Sequence, residues 1–421
     1  MLLMDTCNLF YMAFILFIII VTIVISDFIF DRVLDYLNSK YWSNVLPEEL
    51  KGIYDAEKYM KSQNYEKTNH RFSLITSSFS FVLMLGMLLF GGFAFVDRIA
   101  RSLSGNNILI ALLFFGIIGF AFDLISLPFQ IYSQFVIEEK FGFNKTTYKT
   151  FIFDKIKTYL LAAIIGGGLF ALIIFIYENT GEYFWIITWA VITAFAIFIN
   201  MFYSTLIVPL FNKQKPLEEG ALKNAINEFS VKVGFKLSNI YVIDGSKRSA
   251  KANAYFSGLG AKKRIVLYDT LIQNHTVEEL VAVLAHEIGH YKKKHTLQGL
   301  LMGIVQSGLL LYILSLFIGN PVLSEALGAK QGSFHMGITA FGMLYGPFSL
   351  VLGLFMNALS RHNEYQADRF AAEKYNAKSL KDALIKLSVD NLSNLRPHPV
   401  YVKFHYSHPP LLQRLKALDK V

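Results

Sequence analysis

Long apolar stretches constrain the fold of this 421-residue chain more than any other feature. A helix needs about 20 consecutive apolar residues to cross a bilayer. Seven stretches reach that length, at approximately 8–29, 73–96, 108–133, 158–177, 184–211, 298–319 and 338–359. Charged residues make up only 17% of the chain, against about 25% in soluble proteins. The sequence therefore predicts a mainly α-helical, multi-pass membrane protein with a seven-helix bundle.

The distribution of basic residues predicts how these spans are oriented. Only Arg98, Arg101 and Lys330 fall on the side of the bilayer that holds the N-terminus. All the other lysines and arginines, of 40 in the chain, fall on the opposite side. Because cytoplasmic loops are rich in Lys and Arg, we expect the N-terminus outside and the C-terminus in the cytoplasm. The net charge of +9 then reflects topology, and we predict no nucleic-acid partner.

The polar segments predict where a soluble part lies. We expect residues 1–211 to form a membrane region with five transmembrane helices and cytoplasmic loops. Residues 212–421 should form a catalytic region that includes transmembrane helices six and seven. Helical spacing at 216–235 precedes three short runs with strand composition, at 240–243, 253–258 and 264–268. These patterns indicate a small cytoplasmic α+β domain.

A metal-binding pattern follows on the next predicted helix. Thr276 and Glu279 have the spacing of a capping box at its start. His286 and His290 are four residues apart, so they share a helical face and can bind one Zn²⁺. Glu287 is placed next to the first ligand, where it can take a proton from the attacking water. This HExxH pattern predicts a catalytic zinc site.

A hydrolytic zinc site needs a third protein ligand and an open coordination position. His295 follows His290 by five residues, whereas the pattern with a third histidine needs six and a glycine. We therefore expect His295 to be a polar residue near the membrane surface. Glu364 and Asp368 share a helical face and are better candidates. We predict that Glu364 binds zinc while Asp368 accepts the N–H of His286.

The order of the elements should bring these two segments together. No helix-breaking residue separates the helix of His290 from the sixth span, and Glu364 continues the seventh. Consecutive spans joined by a short loop are usually antiparallel neighbours. From the rise of a helix, His290 should lie about 12 Å and Glu364 about 8 Å from the ends of these spans. We therefore predict one Zn²⁺ per subunit, bound near one face of the bilayer.

Specific motifs extend beyond the metal site over nearly the whole chain. They lie at 127–129, 135–144, 209–213, 244–249, 253–256, 263–267, 285–290, 363–368 and 406–411. In these ordered blocks the chain resembles the M48 family of integral-membrane metallopeptidases, and within it the Ste24 or CAAX prenyl protease 1 type. The resemblance implies seven helices around an intramembrane chamber, capped on the cytoplasmic side by a gluzincin-like zinc domain. It also implies proteolysis, which in eukaryotic relatives occurs next to a prenylated C-terminal cysteine.

Substrate contacts are expected beside the metal. The resemblance suggests that the strand of Asn253, Ala254 and Tyr255 is a substrate-binding edge, and a peptide could add to it through main-chain hydrogen bonds. The oxyanion of the transition state needs a donor besides zinc. We expect His408 to supply it, with Arg414 in support. A histidine that the family is expected to carry near Lys251 is absent here.

Two other functions are compatible with parts of the sequence. A quality-control protease of membrane proteins, without a prenyl requirement, would use the same site. A transporter with a vestigial metal site would also have several spans, but transporters carry more intramembrane polar residues than Asp123 alone. We expect Asp123 to be a packing or hydrogen-bonding residue.

The expected partners are the lipid bilayer and a peptide or protein substrate, with or without a prenyl group. The sequence leaves the oligomeric state open. A site on the cytoplasmic side fits the bacterial inner membrane and the endoplasmic reticulum membrane equally well.

Overall fold

The computed structural model describes residues 2–48, 51, 55–235, 240–258 and 264–421, with side chains from residue 9 onward. The described parts are mainly helical and contain one small sheet, as predicted. The helices of the N-terminal half are α1 Leu2–Ser39, α2 Ala56–Leu89, α3 Gly92–Leu103, α4 Asn107–Tyr132, α5 Tyr148–Leu161, α6 Gly167–Thr180, α7 Phe184–Phe202 and α8 Val208–Phe211. Short π-helical segments extend or join these helices at Ser133–Glu138, Ala162–Gly166 and Tyr203–Ile207.

The C-terminal half mixes strands with helices. In chain order its elements are β1 Gln214–Pro216, α9 Ala221–Lys232, β2 Ile240–Ile243, β3 Ala254–Ser257, β4 Arg264–Tyr268, α10 Asp269–Asn274, α11 Val277–Lys292, α12 His295–Phe317, α13 Pro321–Ala326, α14 Phe334–Leu344, α15 Gly346–Ala371, α16 Ala377–Asp390, α17 Pro399–His405 and α18 Leu411–Leu418. A π-helical segment, Ala372–Asn376, joins α15 to α16.

Five helical segments of the described chain are long and apolar enough to cross a membrane. They are Leu9–Ser39, Ala56–Leu89, Asn107–Glu138, Tyr148–Phe211 and His295–Phe317. The pair α14 and α15, bent by 55°, makes a sixth if it is counted as one span. Tyr148–Phe211 is 64 residues long and holds two of the expected stretches, on either side of a 3₁₀ turn at Gly181–Tyr183. The chain is therefore a multi-pass membrane protein. Its described residues contain five or six membrane-capable segments, whereas the sequence predicted seven.

Two helices end earlier than the sequence suggested. The predicted span 73–96 is interrupted, because α2 ends at Leu89 and Gly91 has a φ of 67° before α3 begins. Glycine adopts this left-handed conformation without steric cost. The predicted run of α11 into the sixth span is wrong as well. α11 ends at Lys292, and Lys294 has a φ of 61° where α12 begins.

The four strands form one mixed sheet in the order β1-β2-β4-β3. β2 and β4 are parallel, while β1 and β3 pair with them antiparallel. The predicted strands at 240–243 and 264–268 are confirmed with the same bounds, and the third is shorter than predicted. β1 was not predicted from the sequence. Among the described strands β3 pairs with β4 alone, so its outer edge is open.

α11 is the most buried helix around the metal-binding motif. Its apolar side chains Leu280, Leu284 and Ile288 pack in one cluster with the sheet, α9 and α16. Burying each such side chain contributes about 1.5–3 kcal/mol. Tyr59 of α2 belongs to the same cluster, although it lies in the N-terminal half of the chain. The core that holds α11 is therefore built from both halves.

Candidate metal centre

The start of α11 is fixed by the capping box that the sequence predicted. Thr276 Oγ1 accepts the N–H of Glu279 at 3.3 Å, and a Glu279 carboxylate oxygen accepts the N–H of Thr276 at 2.8 Å. Burial alone would raise the pKa of Glu279. Hydrogen bonds from Lys386 and Thr276 outweigh burial and hold this pKa below its usual value. The capping box thereby sets where the following turns of α11 place their side chains.

The two histidines of α11 meet a carboxylate of α15. Nε2 of His286 and Nε2 of His290 lie 3.1 Å apart. The Glu364 oxygens lie 3.2 Å from His290 Nε2 and 3.5 Å from His286 Nε2. Oε2 of Glu364 is buried and has no hydrogen-bond partner among the described residues. Two imidazoles and one carboxylate converging on one point are a donor set that fits Zn²⁺.

A glycine allows the two helices to approach this closely. A Cβ atom at Gly289 would lie 3.1 Å from the Cα of Ala367 and 3.2 Å from its carbonyl oxygen. Both atoms belong to the backbone of α15, which cannot move aside as a flexible side chain can. The glycine between the two histidines therefore determines how closely α11 and α15 pack.

Asp368 lies one turn beyond Glu364 and faces the other nitrogen of His286. Its Oδ1 is 2.8 Å from His286 Nδ1, within hydrogen-bonding distance. Arg414 of α18 donates two hydrogen bonds to the same carboxylate, at 2.6 and 2.8 Å. Burial lowers the pKa of His286, but the neighbouring carboxylates of Asp368 and Glu364 outweigh burial and raise the pKa to about 9. The surroundings of this ring favour a positive charge.

His295, expected to be a polar residue near the membrane surface, is buried within the protein beside a proposed ligand. It is 8% exposed, and its Nδ1 lies 3.0 Å from Nδ1 of His290. Its Nε2 lies 3.2 Å from Oε1 of Gln366. The helix breaks at Lys294, between α11 and α12, and His295 lies on the Nδ1 side of the His290 ring, away from the converging Nε2 atoms. Residue spacing cannot show this contact, because the break in the helix has no sequence signal.

A cavity of about 340 Å³ opens beside the converging ligands. It is lined by every residue expected at the site except Asp368, namely His286, Glu287, His290, Glu364, His408, Arg414, Asn253, Ala254 and Tyr255. Burial raises the pKa of Glu287, which makes its carboxylate a better proton acceptor than an ordinary one. The cavity therefore combines a metal-type donor set with a basic carboxylate.

The remaining expected residues lie on the cavity walls. Nε2 of His408 is 3.3 Å from Oε1 of Glu364, and its side chain is 65% exposed. Arg414 lies 3.6 Å from Glu364, but its guanidinium is also bound to Asp368, which the sequence did not show. The ring of Tyr255 packs on the opposite face of the sheet from Ala254. At Tyr255, the main chain is the part available to a ligand.

Lys251 stands just before β3, where a histidine was expected. Its Nζ lies 2.9 Å from a Glu138 oxygen and donates to Tyr65 Oη at 2.9 Å. The ammonium also sits 4.5 Å from the centre of the Phe143 ring. Burial lowers the pKa of Lys251, but these hydrogen bonds outweigh burial and raise it. Lys251 thus ties the chain before β3 to two segments of the membrane region.

Comparison with known proteins extends these observations to the whole chain. The family described as CAAX prenyl protease N-terminal, five membrane helices, matches residues 35–213, and peptidase family M48 matches residues 216–421. CAAX prenyl protease 1 of Saccharomyces cerevisiae is 34% identical and aligns over 94% of each chain. The CAAX prenyl protease 1 homolog of Homo sapiens is 33% identical, over 89% of this chain and 88% of its own length.

The fold has a solved counterpart. The crystal structure of S. mikatae Ste24p matches with a TM-score of 0.91 and 34% sequence identity. The match covers 96% of this chain and 99% of that protein. The family models, the relatives and the shared fold all agree with the resemblance found in the sequence motifs. The chain belongs to peptidase family M48 and is a multi-pass membrane metallopeptidase of the CAAX prenyl protease 1 type.

Proposed function

We propose that this protein is a zinc endopeptidase that cleaves membrane-associated substrates, with prenylated CAAX proteins as its substrate class. The observation that carries the proposal is the convergence of His286, His290 and Glu364 on one point. Glu287 lines the same cavity. When bound, zinc polarises the scissile carbonyl and increases the acidity of the attacking water.

Residues of the protein carry out proton transfer, orient a metal ligand and balance the buried charge. Glu287 accepts a proton from the attacking water and delivers it to the leaving amine. Asp368 holds the N–H of His286, so that Nε2 of that ring keeps its lone pair toward the metal position. Arg414 balances the buried charge of Asp368 and thereby keeps this carboxylate ionised.

The open edge of β3 is the proposed binding site for the peptide main chain. β3 and the preceding Asn253 line the cavity beside Glu287. A peptide added along this edge would use backbone hydrogen bonds, which hold the scissile bond without selecting its side chains. His408 lies on the wall that includes Glu364, where its ring can donate to the developing oxyanion.

We infer seven membrane crossings that enclose a chamber. The segment Tyr148–Phe211 supplies two crossings, because α6 and α7 pack against each other through Tyr177 and Phe184 after the turn at Gly181. Only 6–17% of the residues in the five apolar windows are buried. Helices packed into a solid bundle would bury more, so this low burial supports an open interior. The basic loops support a cytoplasmic location for the catalytic cavity.

The relatives and the membrane setting support the proposed substrate class. The relatives are named for CAAX prenyl proteins, and one-third of the residues are identical over most of both chains. A binding edge that contacts only main chain leaves selection to another feature of the substrate. A lipid group that partitions into the bilayer can supply that selection. Glu287 lies next to the proposed metal ligands, and a transporter with a vestigial metal site would give this residue no role.

The test uses purified full-length protein in detergent with two CAAX peptides that differ only in prenylation. We expect cleavage of the prenylated peptide, loss of cleavage with a zinc chelator, and recovery on adding Zn²⁺. Glu287→Gln should keep zinc and lose about 10²–10⁴-fold in turnover, since an amide cannot accept the proton. Glu278→Gln, exposed on the same helix, is the matched control. Equal cleavage of both peptides would support the quality-control function, and normal turnover of Glu287→Gln would refute the mechanism.

A further inference from the structure

The two histidines of α11 have different partners at their second ring nitrogen. Nδ1 of His286 faces the carboxylate of Asp368, which can only accept a hydrogen bond while it is ionised. Nδ1 of His290 faces another imidazole, that of His295, at 3.0 Å. A neutral imidazole carries one donor and one acceptor, so its partner alone does not fix which nitrogen of His290 holds the proton.

A chain of hydrogen bonds continues from His295 to the surface of α15. Nε2 of His295 lies 3.2 Å from Oε1 of Gln366, and Nε2 of Gln366 lies 2.8 Å from Nε2 of His362. His295 and Gln366 each present one donor and one acceptor to their two neighbours. All bonds of the chain must therefore run in the same direction.

We propose that this series of hydrogen bonds, through His295 and Gln366, sets the tautomer of His290 for metal binding. With Oε1 of Gln366 toward His295, the Nε2–H of His295 donates to Gln366, and Nδ1 of His295 is left as an acceptor. His290 then donates its Nδ1–H to His295, which leaves the Nε2 lone pair of His290 directed at the point shared with His286 and Glu364.

The opposite direction is incompatible with a metal ligand. If His295 donated from Nδ1, Nδ1 of His290 would accept and Nε2 of His290 would carry the proton. That proton would occupy the position through which His290 binds zinc. His295 and Gln366 are therefore positioning residues that act through His290, and the inference rests on the proposed zinc site.

The test measures zinc affinity of the full-length protein in detergent by competition with a chromophoric chelator. His295→Leu removes the acceptor for His290 and should weaken zinc binding about 10–100-fold, as loss of such partners does in other zinc proteins. His295→Asn should retain most of the affinity, because Oδ1 of asparagine can occupy the place of the accepting Nδ1. Gln366→Glu should also retain affinity, whereas Gln366→Met, of similar size, should lose it.

A matched control is available at the other end of α11. His275 is buried like His295 and contacts only the carbonyl of Leu271 among the hydrogen bonds described for it. His275→Gln should leave zinc affinity unchanged. If the unsubstituted protein binds no zinc, the proposed function fails and not this inference alone. If the unsubstituted protein binds zinc and both His295→Leu and Gln366→Met bind zinc with the same affinity, the proposed zinc site is retained. The hydrogen bonds of His295 and Gln366 then have no role in positioning His290.

Discussion

At the scale of single residues, Asp368 contacts both a proposed metal ligand, His286, and the helix α18 through Arg414. One of its oxygens lies 2.8 Å from His286 Nδ1 and 2.6 Å from Arg414 Nη2. A buried carboxylate is stable only when it is paired and hydrogen-bonded. The same group therefore orients a proposed ligand and anchors α18 to α15.

Replacing Asp368 with asparagine tests this double role. Asp368→Asn removes the charge that holds the His286 N–H and balances Arg414. Zinc affinity should fall about 10–100-fold, measured by chelator competition. Glu373→Gln, exposed further along the same segment, should behave like the unsubstituted protein. Unchanged zinc affinity in Asp368→Asn would remove Asp368 from the centre.

His408 has a separate prediction, because it lies beside Glu364 without belonging to the proposed ligand set. If its ring donates to the oxyanion, His408→Ala should lower kcat by about 10²–10³-fold. KM and zinc content should change little, since the contact forms mainly in the transition state. His405→Ala, an exposed histidine nearby, serves as the comparison. A rise in KM with normal kcat would instead assign His408 to substrate binding.

At the scale of the elements, the distance between α11 and α15 is set at Gly289. A methyl group there would collide with the backbone of α15 at 3.1 Å. Gly289→Ala should separate the helices, move His286 and His290 away from Glu364, and reduce both zinc affinity and thermal stability. Gly299→Ala on α12 has open space around the added Cβ and should be tolerated. A normal zinc affinity in Gly289→Ala would show that α15 can adjust.

The elements also show why only part of the site could be predicted. The capping box and the His286–His290 pair depend on residues within one or two turns, so the sequence specifies them directly. The turn at Lys294 could not be foreseen, because lysine is an ordinary helix former and the break depends on the folded surroundings. The Arg414–Asp368 ion pair joins residues 46 positions apart, and such contacts leave no local pattern. The contact between His295 and His290 was not predicted either, because it depends on the helix break at Lys294.

At the scale of the whole molecule, the predicted boundary at residue 212 does not separate two independent cores. Tyr59 of α2 is 1% exposed and packs in the cluster that holds α11. Arg248 donates two hydrogen bonds to Asp154 of α5, at 2.8 and 3.0 Å. The region of α11 therefore depends on the membrane region for part of its stability.

Tyr59→Ala measures that dependence. Removing a fully buried aromatic side chain should lower the free energy of unfolding by about 3–5 kcal/mol. The loss should appear as a lower midpoint of thermal unfolding in detergent, together with faster release of zinc. Tyr183→Ala, at an exposed turn, should have little effect. Equal midpoints for the two variants would mean that Tyr59 is not needed for the stability of the C-terminal half.

The position of Arg414 on α18 affects when the metal centre can form during biosynthesis. A ribosome completes α11 with His286 and His290 first, but Glu364 follows only after α12, α13 and α14. Arg414 is made later still, and until then the buried charge of Asp368 lacks its strongest partner. A nascent chain cannot hold the complete set of residues before its last membrane helix has been synthesised. Proteolytic capacity therefore cannot arise before the segments that carry Glu364 and Arg414 have both been synthesised and packed against α11.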